Sequence, residues 1–340
     1  MLLKVIRTSQ EFDALADPWN DLLDCSASHV PFLRHEYLAA WWRTLGGGEW
    51  PNGELHVVLG YRPDGSLGAV APLFYTHNKA GEPALMLLGS IEISDYLDFI
   101  LCEDTAGEFI DALLDHLGET QPPSWKTLDL YNLLETSPTL KLLESSASRH
   151  GWQFSQERLQ HCPYIPLPGD WETYLAGIDK KQRHEIRRKM RRAEGYEAPV
   201  RWYFVREEPG LDEHIEAFFL LMEQDEEKRA FLTPVMRAQI RATIWLAFQG
   251  GWLQLAFLEA GGEKAAAYLN FDYGNHIWVY NSWLNYNLSA LSPGWVLLGY
   301  LLQWANENQR AAFDFMRGDE EYKYRFGAID RFVVRARVTR

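Results

Sequence analysis

The sequence predicts an α/β (α+β) chain of two tandem domains, each a mixed, mostly antiparallel sheet flanked by helices. Three observations carry this expectation. The 340 residues exceed the size at which single hydrophobic cores stop growing. Two hairpin patterns with the same segment lengths recur, one in each half. Each is preceded by helical patterns and followed by strand and helix patterns in matching order, which suits a duplicated α/β unit.

In the first half, helical spacing covers residues 11–25, with a restart at Pro18, and 35–45, where Gly46, Gly47 and Gly48 end it. Strand patterns at 55–62 and 67–75 flank the turn Pro63-Asp64-Gly65-Ser66. Further strands are expected at 84–88, 95–102 and 126–131, with a helix at 106–117. Pro163, Pro166 and Pro168 then favour an extended connector. They set the expected domains at 1–165 and 166–340. In the second half, helical segments run to Gly250, followed by strands at 253–260 and 265–273 around Gly261-Gly262. A strand at 276–283, a helix starting near Pro293 and a strand at 311–315 complete the repeat.

Composition excludes several roles. A net charge of −14 disfavours general nucleic-acid binding, which needs cations to neutralise phosphates, so any anion site must be local. No apolar run reaches the roughly 20 residues of a membrane helix and the amino end lacks a signal-peptide pattern, so a cytoplasmic protein is expected. Cys25, Cys102 and Cys162 have no metal-ligand spacing and are expected as reduced, buried side chains, with no metal. Phosphate-binding P-loop, dinucleotide-binding, zinc-protease and nucleophile-elbow motifs are all missing from the sequence.

Three stretches can carry chemistry. Residues 179–194 concentrate eight Lys and Arg between positions 180 and 192 of an acidic chain. As a helix the stretch has one apolar seam, Ile186, Met190 and Ala193, and a row of Arg183, Arg187 and Arg191 suited to phosphate, because guanidinium forks match phosphate oxygens. The alternative is a solvated helix that offsets the surrounding acidic field. Ser292-Pro-Gly294 opens a helix whose exposed N–H groups and dipole form an anion site, with Ser292 as N-cap. Residues 313–327 deliver Asp314, Arg317, Asp319, Tyr322 and Lys323 from a short strand into a turn and short helix. In the first half Asp95, Tyr96 and Asp98 cluster at a strand start as candidates for acceptor binding.

The basic run 180–192, Ser292-Pro-Gly294 and the segment 314–327 lie in an order that resembles GNAT-superfamily acyltransferases of the CelD-like type and, more distantly, the FemABX aminoacyltransferases. The resemblance implies tandem GNAT-like domains, with the second catalytic and the first helping to form the acceptor cleft. It implies acyl-CoA as co-substrate, its pyrophosphate received by Ser292, Gly294 and Trp295 with Arg183 and Arg187. The usual Gln/Arg-x-x-Gly-x-Gly/Ala loop is replaced here by Ser-Pro-Gly. Lys323 and Arg317 would stabilise charge or contact phosphate, Asp314 or Asp319 would orient them, and Tyr322 or Tyr280 would donate a proton. The expected function is N-acyl transfer to an amine acceptor, a small molecule or glycan precursor of the cell envelope. The rivals are tRNA-dependent aminoacyl transfer, the one case in which tRNA would be a partner, and a non-catalytic binding module.

Overall fold

The computed structural model describes residues 1–119 and 125–340. They form two compact units, Met1–Gln160 with Phe332–Arg340, and His161–Arg331. The first unit runs β1 (Leu2–Ile6), α1 (Ser9–Asp13), α2 (Ala16–Leu23), α3 (His35–Thr44), β2 (Glu54–Leu55), β3 (Val57–Tyr61), β4 (Leu67–Ala71), β5 (Leu73–His77), β6 (Pro83–Leu87), β7 (Ile100–Leu101), α4 (Ala106–Glu119), β8 (Thr127–Leu134), α5 (Pro138–Arg149) and β9 (Gln153–His161). The second runs β10 (Tyr164–Pro166), α6 (Trp171–Gly177), α7 (Lys180–Glu194), β11 (Val200–Phe204), α8 (Leu211–Met222), α9 (Glu226–Phe231), α10 (Pro234–Gln249), β12 (Leu253–Ala260), β13 (Glu263–Tyr273), β14 (His276–Leu284), α11 (Pro293–Glu307), β15 (Ala312–Asp314) and α12 (Glu321–Arg325). The closing strand β16 (Phe332–Thr339) pairs with β8, so it belongs to the first unit and not, as the division at 165 expects, to the second. Its buried Val333, Val334, Ala336 and Val338 and the two-pronged Arg335–Asp129 pair hold it there.

The first unit contains a four-stranded sheet, β1-β3-β4-β7, and a six-stranded sheet, β2-β5-β6-β8-β16-β9. The expected hairpin exists as β3 and β4, but each long strand pattern is cut in two, at His56 and at Pro72, and the outer pieces join the other sheet. Proline has no N–H to continue a ladder, which accounts for the break at Pro72. The expected helical restart falls at residues 14–15, and Pro18 lies in the first turn of α2, where its missing N–H costs nothing. Of the strand expected at 95–102 only Ile100–Leu101 forms; Tyr96 before it sits at φ 54°. Cys25 and Cys102, expected as separate reduced side chains, meet as a disulfide with Cα atoms 5.5 Å apart, a pairing hidden by a sequence separation of 77. Cys162 is buried and outside the disulfide.

The second unit is one mixed sheet, β10-β15-β14-β13-β12-β11, antiparallel except for the β14–β15 pair. Side chains alternate across it, so Ala256, Leu258, Ala266, Tyr268 and Ile277 meet Val296, Leu297, Leu301 and Leu302 of α11 in one core with Ile186 and Met190 of α7. The opposite face is covered by α8 and α10. Among the described residues, no helix is long and apolar enough to cross a membrane and no group of three ligating side chains could hold a metal.

Candidate active site

Helix α7 forms as its seam predicts: Ile186, Met190 and Ala193 are buried, and Asp179 caps its amino end by accepting from Lys181 N at 2.9 Å. The seam fixes where each cation goes. Arg183 and Arg187 flank its α6 side, where Arg183 donates to the Leu175 and Ala176 carbonyls, both at 3.3 Å, and Arg187 pairs with Glu172. Arg183 therefore satisfies the carboxyl end of α6 and Arg187 pairs with a glutamate of its first turn, and neither is among the cations beside α11. Lys189 and Arg192 flank the other side. Arg192 donates to Ser292 Oγ at 3.2 Å, and the Lys189 ammonium stands 4.1 Å from the centroid of the Trp295 ring. Burial pulls the Lys189 amine below its ordinary range, while Glu185, 3.6 Å away, opposes that pull. Sequence reasoning passed over this pair; their position next to Met190 and Ala193, which face α11, is the signal that identifies them.

Ser292 occupies the N-cap position of α11, as expected, in a left-handed conformation, φ 54° and ψ 53°, and its side chain makes no cap bond. Its hydroxyl is turned to Arg192. Pro293 has no N–H and Val296 N donates to Ser292 O at 3.1 Å. The first-turn N–H groups of Gly294 and Trp295 thus have no intrahelical acceptor and lie beside the positive end of the helix dipole. A Cβ on Gly294 would sit 3.2 Å from Leu284 Cδ2, so glycine also lets α11 start close to β14. That strand pairs with β15 only from His276↔Ala312 to Trp278↔Asp314 and then runs on to Leu284 beyond the end of β15.

The loop after β15 is built around Lys323. Its side chain is 4% exposed, and the ammonium lies 3.1 Å from Gly318 O, 3.3 Å from Arg317 O, 3.5 Å from Phe315 O and 2.8 Å from Glu320 Oε2. A cation enclosed in this way clamps a loop, so the expected contact with phosphate or a reacting group is not made by Lys323 here. Arg317 contributes its carbonyl to the cage. Gly318 has φ 124°, and a Cβ there would fall 2.5 Å from Glu320 Oε2 and 2.9 Å from Lys323 Nζ. Asp314, 1% exposed, accepts from Met316 N at 2.8 Å and pairs with Arg331. Asp319 accepts from Tyr324 Oη at 2.7 Å. Neither aspartate contacts Lys323; Asp314 is engaged by Met316 and Arg331, and Asp319 by Tyr324.

Tyr322, in contrast, packs against the sheet core. On β13 and β14, Tyr268 and Ser282 stand directly opposite each other, Tyr268 buried and Ser282 half-buried, and half-buried Tyr322 lies beside them. Burial first, then Glu320's charge, pushes the Tyr322 phenol well above its ordinary range. Burial does the same to Tyr268, followed by the neighbouring Tyr322. Tyr280 does not join them: the register slips between Leu269↔Asn281 and Asn270↔Val279, making Tyr280 a bulge residue that packs its ring 5.2 Å from Phe271 on the other face.

The first-unit candidates are buried. Asp98, 2% exposed, accepts from Ser137 Oγ at 2.5 Å, Ser28 Oγ at 2.6 Å and Phe99 N at 2.8 Å, and burial raises its carboxyl above the usual range. These bonds remove it from acceptor contact. Tyr96 and Asp95 are 1% and 8% exposed.

No curated protein matches the chain. Its fold is similar to FemX, with TM-score 0.67 and 12% identity over 99% of this chain and 97% of that one. It is also similar to L-PGS from Bacillus licheniformis, with TM-score 0.55 and 14% identity over 97% and 91% of the two chains. A third likeness is the C-terminal domain of a putative lysylphosphatidylglycerol synthetase from Agrobacterium fabrum, with TM-score 0.53 and 11% identity over 97% and 92% of the two chains. Residues 180–324, from the start of α7 into α12, match the acetyltransferase (GNAT) domain family, which places an acyltransferase-type domain within a fold shared with FemX.

Proposed function

We propose that the chain is an N-acyltransferase that moves an acyl group from acyl-CoA to an amine on a small molecule or glycan precursor. The observation that carries this is the convergence of Lys189, Arg192 and the amino end of α11 where β14 runs on past β15. That end offers N–H donors, a helix dipole and a guanidinium to a pyrophosphate. The length of β14 that runs past the β15 pairing would offer main-chain groups to an amide-bearing arm leading toward Tyr322. The amine nitrogen attacks the thioester carbonyl, a C–N bond forms, the C–S bond breaks, and Tyr322 gives its proton to the departing sulfur. The amine loses one proton to water and Tyr322 regains one. Lys323 and Gly318 keep the loop that presents Tyr322 in shape.

Calorimetry with acetyl-CoA and free CoA tests the reading. One saturable site per chain is expected, weakened about tenfold by Arg192→Ala or Lys189→Ala, as for loss of one charge-assisted hydrogen bond. Arg183→Ala should leave the affinity unchanged. No saturable binding would remove acyl-CoA as the donor. The fold shared with FemX supports a second reading, tRNA-dependent aminoacyl transfer, in which the exposed cations of α7 hold the nucleic acid. Steep salt dependence of tRNA binding would favour it. Tight CoA binding without transfer across a panel of amines would favour a binding module instead.

A further inference from the structure

The candidate site uses one flank of α7 and leaves the outer face of the helix without a role. At about 100° per residue, Lys180, Lys181, His184, Arg188, Arg191 and Arg192 project opposite the buried seam, and all six are exposed. Glu185 and Glu194 lie at the borders of this face, and no carboxylate falls within it. The ion pairs of α7 are Arg187–Glu172, Arg188–Glu185 and Lys189–Glu185, so Lys180, Lys181 and Arg191 have no carboxylate partner among the described residues. Elsewhere Arg62, Arg149, Arg241, Arg310 and Arg335 each pair with a carboxylate. Like charges at i,i+4, as in Arg187 and Arg191 or Arg188 and Arg192, weaken a helix, so this row of cations is offset only by an anion from outside.

We propose that the outer face of α7 docks the chain on an anionic lipid bilayer, with the cations on headgroup phosphates and the Tyr286 ring in the interface. Tyr286, 53% exposed, opens the turn Tyr286–Leu291, which packs beside α7 and leads into Ser292. Cations flanked by an exposed aromatic ring match the zone of a bilayer where phosphates meet the first acyl carbons and tyrosine concentrates. A duplex nucleic acid offers phosphates to the cations but nothing to this ring. It also continues past the row, which rises about 18 Å, over a chain that without α7 is more acidic still than −14. The docking does not depend on the transfer reaction.

Co-sedimentation with vesicles of phosphatidylcholine, alone or with about one-third phosphatidylglycerol, tests it in about 0.1 M salt, where the screening length is about 10 Å. The chain should partition onto the phosphatidylglycerol vesicles, stay off the neutral ones, and be released by about 0.5 M salt. Lys180→Gln, Lys181→Gln and Arg191→Gln together leave the seam intact and put good helix formers in place. The melting temperature should therefore hold while partitioning falls about 100-fold, at about fivefold per charge. Tyr286→Ser should weaken partitioning about threefold and leave retention of tRNA unchanged. Absence of partitioning onto the anionic vesicles overturns the proposal, as does partitioning that survives the salt or the triple substitution. Tighter binding of tRNA than of vesicles at equal phosphate concentration, or a Tyr286→Ser chain that partitions like wild type, means a polyanion site without bilayer contact and overturns it too.

Discussion

Lys323 stands out at the residue scale because its position in the sequence suggests catalysis and its surroundings suggest architecture. Three main-chain carbonyls and Glu320 surround an ammonium whose side chain is 4% exposed. Removing it leaves buried acceptors without a donor, at a cost of about 1–3 kcal/mol for the second unit. Lys323→Ala is therefore expected to lower stability as well as any transfer activity. Gly318→Ala, which drives a Cβ into the same cage at a φ that L-residues avoid, should reproduce the effect without touching a charge. Hydrogen exchange of peptides spanning 312–325 reads both variants. Protection equal to wild type in both would mean that the cage does not hold the loop and would return Lys323 to the reacting groups.

Elements make close approaches that a residue inventory misses, and α7 against α11 is the one on which the candidate site depends. A Cβ at Gly299 would lie 2.9 Å from Met190 Sδ, so the helices cross where one of them has no side chain. The thioether is flexible and can yield to one methyl, and alanine favours a helix over glycine by about 1 kcal/mol. Gly299→Ala should therefore be neutral or slightly stabilising. Gly299→Leu has no room, and should both lower the melting temperature and weaken acetyl-CoA binding by displacing Lys189 and Arg192 from Ser292 and Trp295; equal behaviour of the two variants would contradict the crossing. The same pair of helices shows how much was legible. The seam of α7, the start of α11 and the β12–β13 hairpin follow from local periodicity, which the sequence states directly. Which flank of α7 meets α11, the Tyr280 bulge and the placing of Tyr322 beside Tyr268 and Ser282 depend on register between distant segments, and no local pattern encodes that. In the first half, Pro72 marked a break in the sequence that strand periodicity overrode, whereas the Cys25–Cys102 pair left no local mark.

For the molecule as a whole, the charge of −14 sets an acidic field against which α7 concentrates eight of the 33 Lys and Arg, so anions are drawn to that surface. Acid weakens this field, but the steeper acid response should come from the first unit. His56 is 3% exposed, neither ring nitrogen has a hydrogen-bond partner, and burial, followed by the charges of Arg7 and His116, pulls its pKa from the ordinary 6.5 to about 4. Burial lowers His35 as well. A histidine lowered in the folded state is neutral there while the unfolded chain already takes up its proton. Its contribution to stability is therefore complete above pH 6.5 and is lost as the pH falls toward 4. Between pH 7 and pH 5 the loss from His56 alone is about 2 kcal/mol, at about 1.4 kcal/mol per pH unit below 6.5. His56→Phe removes the group and should flatten that part of the curve, leaving the slope from His35. Hydrogen exchange of peptides covering β3 to β6, followed from pH 7 to pH 5 and corrected for the intrinsic rate, separates this unit from the other. Parallel pH dependence in wild type and variant would mean that His56 is already able to take up a proton in the folded unit, and that the acid response arises elsewhere.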